Sequence, residues 1–83
     1  MSKEKIMARI IINPKVMGGK PVISGTRLTV QYILKALGDG ITPTELMQEY
    51  EGLTQEDICA CLYFAAKTVD NIAFLPSLEE YAQ

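Results

Sequence analysis

Gly18-Gly19-Lys20-Pro21-Val22-Ile23-Ser24-Gly25-Thr26-Arg27-Leu28-Thr29-Val30 places three glycines, a proline and two cations within thirteen residues, then runs directly into a helical pattern. Glycine adopts positive φ without a Cβ clash, and proline fixes φ and removes a backbone donor. The stretch therefore reads as a specialised turn or a binding edge that leaves Lys20 and Arg27 turned toward a partner. Val22-Ile23 and Arg27-Leu28-Thr29-Val30 are strand fragments on either side of Ser24-Gly25. Upstream, Arg9-Ile10-Ile11-Ile12 is β-branched and closes at Asn13-Pro14, a turn pair. Together these predict a small β-ribbon, which needs helices or a second chain to lean on.

Downstream the period changes. Val30, Ile33, Leu34 and Leu37 follow the spacing of one helical face, with Thr29 as N-cap and Gly38 as the residue expected to end the helix in the left-handed conformation. A helix-start grammar then occurs twice. Thr42-Pro43-Thr44-Glu45 has a cap, a proline at the first helical position and a capping-box acid, with Ile41 and Leu46 spaced as a hydrophobic staple. Thr54-Gln55-Glu56-Asp57 repeats it, flanked by Leu53 and Ile58. The first of these helices is short, about Pro43 to Tyr50, and Glu51-Gly52-Leu53 links it to the next. That last helix is expected to bury a stripe of Ile58, Leu62, Ala65, Val69 and Ile72 and to stop before Pro76, which biases Leu75 away from helix. Tyr32, Tyr50, Tyr63 and Phe64 fall among apolar helical positions, where core or dimer packing is their default.

A helix, a short helix, a glycine turn and a longer helix match a tri-helical helix-turn-helix. The fold expected is mainly α with a short N-terminal β-ribbon. Residues 1–8 read as a flexible arm, 9–73 as the domain and 74–83 as a tail, which includes a candidate helical turn at Ser77–Gln83. A chain of 83 residues fits one domain with a thin core, and dimerisation is a common remedy. No apolar run approaches the roughly 20 residues of a membrane helix, and no signal-peptide pattern follows the charged N-terminus, so a cytoplasmic protein is expected. Cys59 and Cys61 lie two apart on a helix, face different ways and read as reduced fillers.

Charge divides the chain. Residues 1–35 carry seven cations against Glu4 alone, a net +6, while residues 36–83 carry nine acids against Lys67 alone, a net −8. A basic half suits an anionic partner, and two opposite halves also suit attraction to each other. For a nucleic acid, the ribbon and arm would supply phosphate contacts through Lys3, Lys5, Arg9, Lys15, Lys20 and Arg27. Gln55, Ala60, Tyr63 and Lys67 are the candidate readers on the last helix, although Glu56 and Asp57 at its start oppose phosphate.

Catalysis finds little support. The chain has no histidine, so Ser–His and Cys–His pairs are excluded, as is a histidine-completed zinc site. Gly18-Gly19-Lys20-Pro21 departs from a phosphate loop twice: Pro14 stands where the first glycine belongs, and Pro21 replaces the magnesium-binding hydroxyl. No cofactor or metal is expected.

The run Ile10…Asn13-Pro14…Gly18-Gly19-Lys20-Pro21-Val22-Ile23-Ser24-Gly25-Thr26-Arg27-Leu28-Thr29-Val30, with Ile33-Leu34…Leu37…Gly40, resembles the bacterial family known as "domain of unknown function four-three-three". Glu45-Leu46…Tyr50…Leu53-Thr54…Asp57-Ile58…Ala60…Leu62…Ala65-Ala66 continues the likeness, which spans about residues 10–66. Members of this family resemble antitoxins of the VapB type. The resemblance implies a homeodomain-like helix-turn-helix, a homodimer, a PIN-like ribonuclease toxin as partner and operon autoregulation through DNA. Antitoxins of such nucleases often insert a basic side chain into the toxin's acidic site. This chain has no Lys or Arg after Lys67, so the tail residues Phe74, Leu75, Leu78 and Tyr81 are the candidate apolar anchor instead, unless they pack across a dimer. Two function classes thus stand: a DNA-binding antitoxin, with Lys20 and Arg27 as contacts, and a dimeric protein-interaction module in which Arg27 is structural.

Overall fold

Thr29, Thr42 and Thr54 each start a helix, and each does so by accepting a backbone N–H with its side-chain oxygen. The computed structural model describes residues 3–15 and 17–71. It contains α1 (Lys3–Met7), β1 (Ile10–Ile12), β2 (Pro21–Ile23), α2 (Val30–Gly38), α3 (Pro43–Glu49) and α4 (Gln55–Asp70). The protein is therefore mainly helical with one two-stranded antiparallel sheet. Its register pairs Ile10 with Ile23, Ile11 with Val22 and Ile12 with Pro21. Beyond β2 the third strand fragment contributes a single bridge, Val22 to Thr29, because Val30 already begins α2.

Both capping boxes form. The Thr42 N–H donates to Glu45 Oε1 at 2.9 Å, and the Glu45 N–H returns to Thr42 Oγ1 at 3.1 Å. The two hydrogen bonds from Thr42, backbone first, hold the Glu45 carboxyl below its usual pKa. The Thr54–Asp57 pair repeats this at 3.0 and 3.1 Å.

Helix α2 ends differently from the sequence expectation. Gly38 is its last helical residue, and the left-handed conformation falls at Gly40 (φ 95°). There the Ile41 N–H reaches the Ala36 carbonyl and the Gly40 N–H reaches Leu37, both at 3.0 Å. This is the Schellman arrangement, in which the residue after the glycine folds back on the last turn. Gly40 satisfies it, and Gly38, two residues earlier, does not.

The core gathers Ile23, Val30, Ile33, Ala36, Leu46, Leu53, Ile58 and Cys61. Along α4 the buried positions are Asp57, Ile58, Ala60 and Cys61, whereas Leu62 is 51% and Val69 66% exposed. The expected stripe through Leu62 and Val69 is thus displaced. Helix α4 is contacted by α1, α2, α3 and β1, and small Ala60 and Cys61 are what lies beneath those neighbours. The segment read as an arm carries α1, which packs on α4 and buries Ile6. Residues 72–83 lie outside the described residues, and with them Ile72, the candidate turn at 77–83 and the apolar anchor of Phe74, Leu75, Leu78 and Tyr81.

Candidate functional site

The cationic loop is built from local hydrogen bonds. After β1, the Lys15 N–H donates to Asn13 Oδ1 at 2.9 Å, the Asx turn that Asn-Pro favours. Met17, Gly18 and Gly19 then take φ of 51°, 67° and 84° in succession. For two glycines this costs little, but Met17 has a Cβ, and a non-glycine residue there carries about 1–2 kcal/mol of strain. Such strain clusters at binding sites.

After β2 the chain turns through Ser24–Arg27. Thr26 is the clasp: its hydroxyl donates to the Ile23 carbonyl at 2.8 Å and accepts the Leu28 N–H at 3.0 Å. The Ser24 N–H donates to the Arg9 carbonyl at 2.7 Å, fastening the turn to β1. Arg27 is thereby presented from a braced turn.

The two segments meet. Lys15, Met17, Gly25, Thr26 and Arg27 join Ile11 and Val22 around a hollow of about 540 Å³ on the outer face of the ribbon. Arg27 and Met17 also border a second hollow, about 270 Å³, with Leu28, Thr29, Tyr32 and Tyr50. Arg27 stands between the two. Lys15, Lys20 and Arg27 are all exposed, and none is in an ion pair among the described residues.

Arg9 is placed otherwise. Its Nη1 lies 3.1 Å from Asp57 Oδ1, while Asp57 Oδ2 accepts the Thr54 N–H. Asp57, 5% exposed, thus serves as helix cap and ion-pair partner at once. The acidic start of α4 is in part neutralised from within, a pairing invisible to local spacing because the partners are 48 residues apart. Glu56 remains half-buried beside it.

The remaining candidates lie on α4. Gln55, Tyr63 and Lys67 are exposed, and none borders the Lys15–Arg27 hollow. Tyr63 instead lines a shallow apolar hollow with Cys59, Leu62 and Ala66. The aromatic expectation divides: Phe64 packs against the core, while Tyr32 and Tyr63 are exposed. Tyr32 and Tyr50 meet edge to face, centroids 5.8 Å apart, and share a hydroxyl hydrogen bond. Sequence inspection missed this pair, Thr26 and Met17; a hydroxyl just before Arg27 was the available signal for Thr26. It also missed an apolar groove between α2 and α4, about 610 Å³, bordered by Pro21, Val30, Leu34, Phe64 and Val69 among others.

Two side chains are shifted upward in pKa. Burial, and then the Asp57 charge, push the Cys61 thiol up to about 11. The Tyr32 hydrogen bond, and then burial and nearby Glu49, push Tyr50 up to about 12. In the unfolded chain these groups ionise near their ordinary values, about 8.5 and 10. Above those values the unfolded state therefore binds fewer protons than the folded one, and stability falls as pH rises. The expected result is a urea midpoint that declines between pH 9 and pH 11, with a flatter decline in Cys61→Ala than in the parent. Equal slopes in the two proteins would contradict the assignment.

The family model described as "Protein of unknown function (DUF433)" matches residues 10–65, the span that holds the ribbon, the cationic turn and most of the helical core. The chain belongs to the DUF433 family. A solved structure agrees: the crystal structure of a DUF433 member protein from Anabaena variabilis ATCC 29413 is similar at a TM-score of 0.73 and 30% identity. The match covers 96% of this chain and 74% of that one. Among curated proteins there is no match. No helix among the described residues of this DUF433 chain is long and apolar enough to cross a membrane.

Proposed function

We propose that this chain is an antitoxin-like, DNA-binding regulator of a toxin–antitoxin pair, a cytoplasmic homodimer that partners a PIN-like ribonuclease through Phe74, Leu75, Leu78 and Tyr81. Its three helices α2–α4 then act as a homeodomain-like helix-turn-helix. The observation that carries the reading is the grouping of Lys15 and Arg27 on one braced surface, exposed and without an acidic partner among the described residues. Cations of this kind bind phosphate and release its counterions. Lys20 is exposed on the same loop, so three phosphate contacts can come from one segment. The Arg9–Asp57 pair supports the reading by muting one of the two acids at the start of α4.

Promoter-proximal DNA titrated over a range of salt tests this. Arg27→Ala is expected to weaken binding several-fold at low salt and to reduce the slope of log K against log salt by about 1. An unchanged slope, or no binding above the nonspecific level at the lowest salt, would remove the DNA claim.

A second reading, a dimeric interaction module without nucleic-acid binding, is favoured by the outer face of α4, where Leu62, Tyr63 and Val69 are exposed. Adjacent apolar side chains left in solvent mark contact surfaces. A dimer that forms with the same affinity in Arg27→Ala, with no DNA binding in either protein, would select it.

A further inference from the structure

Arg27 and Met17 border two hollows at once. On one side lie the exposed cations Lys15 and Arg27. On the other lie Tyr32 and Tyr50, whose rings stand at 90° with centroids 5.8 Å apart. Their hydroxyls are hydrogen-bonded, which holds the rings in register. Tyr32 sits in the first turn of α2 and Tyr50 caps α3, so the corner is braced from two helices. Tyr32 is nevertheless 43% exposed and Met17 45%. A strap between α2 and α3 accounts for the contact between the rings, but not for the open hollow they border.

Two perpendicular rings make a corner for a third. A planar heterocycle lying flat on one meets the other edge to face, and both arrangements are favourable. The Met17 thioether is polarisable and suits an aromatic edge. The hollow, about 270 Å³, equals about nine waters at ~30 Å³ each, which suits one nucleobase rather than a base pair. Cations beside aromatic rings are the composition of a single-strand site, where the cations follow the backbone and the rings take bases. A duplex covers its base faces by stacking and offers only groove edges, so it would leave this corner empty. The candidate readers on α4, Gln55, Tyr63 and Lys67, border neither hollow.

We infer that the paired hollows bind an unpaired DNA strand, with phosphates on Lys15 and Arg27 and one base in the Tyr32–Tyr50 corner against Met17. This rests on the reading of Lys15 and Arg27 as phosphate contacts, and it specifies the state of the DNA they meet.

The test compares a fluorescein-labelled oligothymidylate with a duplex of equal length, by anisotropy on the full chain. The single strand is expected to bind several-fold more tightly. Tyr32→Ala should weaken it about 5- to 150-fold, the range of one base–aromatic stack, and Tyr32→Phe much less. Both variants lose the hydroxyl bond to Tyr50, so the difference between them reads the ring. Circular-dichroism melts check that both fold. The chain has no tryptophan, so stacking is also read without substitution, as a fall in absorbance-corrected tyrosine emission when the strand is added. Equal affinities in Tyr32→Ala and Tyr32→Phe, or unaltered emission at saturation, would overturn the inference. Thymidine monophosphate that displaces the strand at comparable concentration would also overturn it, by making a free nucleotide the ligand. Failure of the DNA reading looks different. If Lys15 and Arg27 do not meet phosphate, Arg27→Ala leaves the salt slope unchanged for strand and duplex alike. If they do but no base enters the corner, the slope still falls by about 1 for the duplex, while Tyr32→Ala matches the parent.

Discussion

Replacing Asp57 with alanine is expected to lower the thermal midpoint by about 10–30 °C. Two losses add. The bond from the Thr54 N–H to the Asp57 carboxylate disappears, at about 1 kcal/mol, while the Thr54 hydroxyl still caps the residue-57 N–H, and the charge-assisted bond from Arg9 disappears, at about 1.5–3 kcal/mol. In a domain of this size each kcal/mol moves the midpoint by roughly 4–8 °C. Both contacts converge on one carboxylate that is almost wholly buried, so no other side chain replaces it. Arg9→Ala removes only the ion pair, and the Arg9 side chain is 38% exposed, so its effect should be smaller. In the double variant Arg9→Ala should then cost much less than it does alone, because its partner is already gone. Circular-dichroism melts of the four proteins measure this. A midpoint for Asp57→Ala within a few degrees of the parent, or strict additivity in the double variant, would refute it.

Ile23→Ala should cost about as much or more, roughly 2–5 kcal/mol. Ile23 has no exposed surface, and it is the point where the ribbon enters the core of Val30, Ile33 and Ile58. A three-residue strand offers little hydrogen-bonded ladder to compensate. Small domains hold only about 5–15 kcal/mol in total, so the lost packing is a large share. Hydrogen exchange should show the Ile10–Ile23 region opening before α3 and α4. Ile23→Val, which keeps most of the volume, should cost about 0.5–1.5 kcal/mol. Equal destabilisation by the two substitutions would argue against a packing origin.

What the sequence made legible was local. Thr42-x-x-Glu45 and Thr54-x-x-Asp57 name both ends of a hydrogen-bond pair three residues apart, so their caps followed from spacing alone. The ribbon was readable because Asn13-Pro14 and Ser24-Gly25 bound two β-branched runs. What required the fold was the phase of α4. Cys61 and Leu62 both satisfy helical spacing from Ile58, and only the packing of the other elements on α4 puts Cys61 in the core and leaves Leu62 in solvent. The candidate site divides in the same way. Lys15 and Arg27 could be named as exposed cations, but that they share one hollow depends on the reversal of direction at Met17–Gly19. Arg9 looked like their equal until its partner, 48 residues away, came within reach.

That long-range tie has a bearing on biosynthesis. Asp57 leaves the ribosome long after Arg9, and Ile58 and Cys61 follow it. Until then β1 lacks the helix it packs on, although β2 already has α2 beside it, and Ile10-Ile11-Ile12 is open to stray association. Arg9, directly ahead of that run, is a charge of the kind that gatekeeps sticky strands. One guanidinium thus guards the isoleucines while they wait and ties the start of β1 to α4 once that helix emerges.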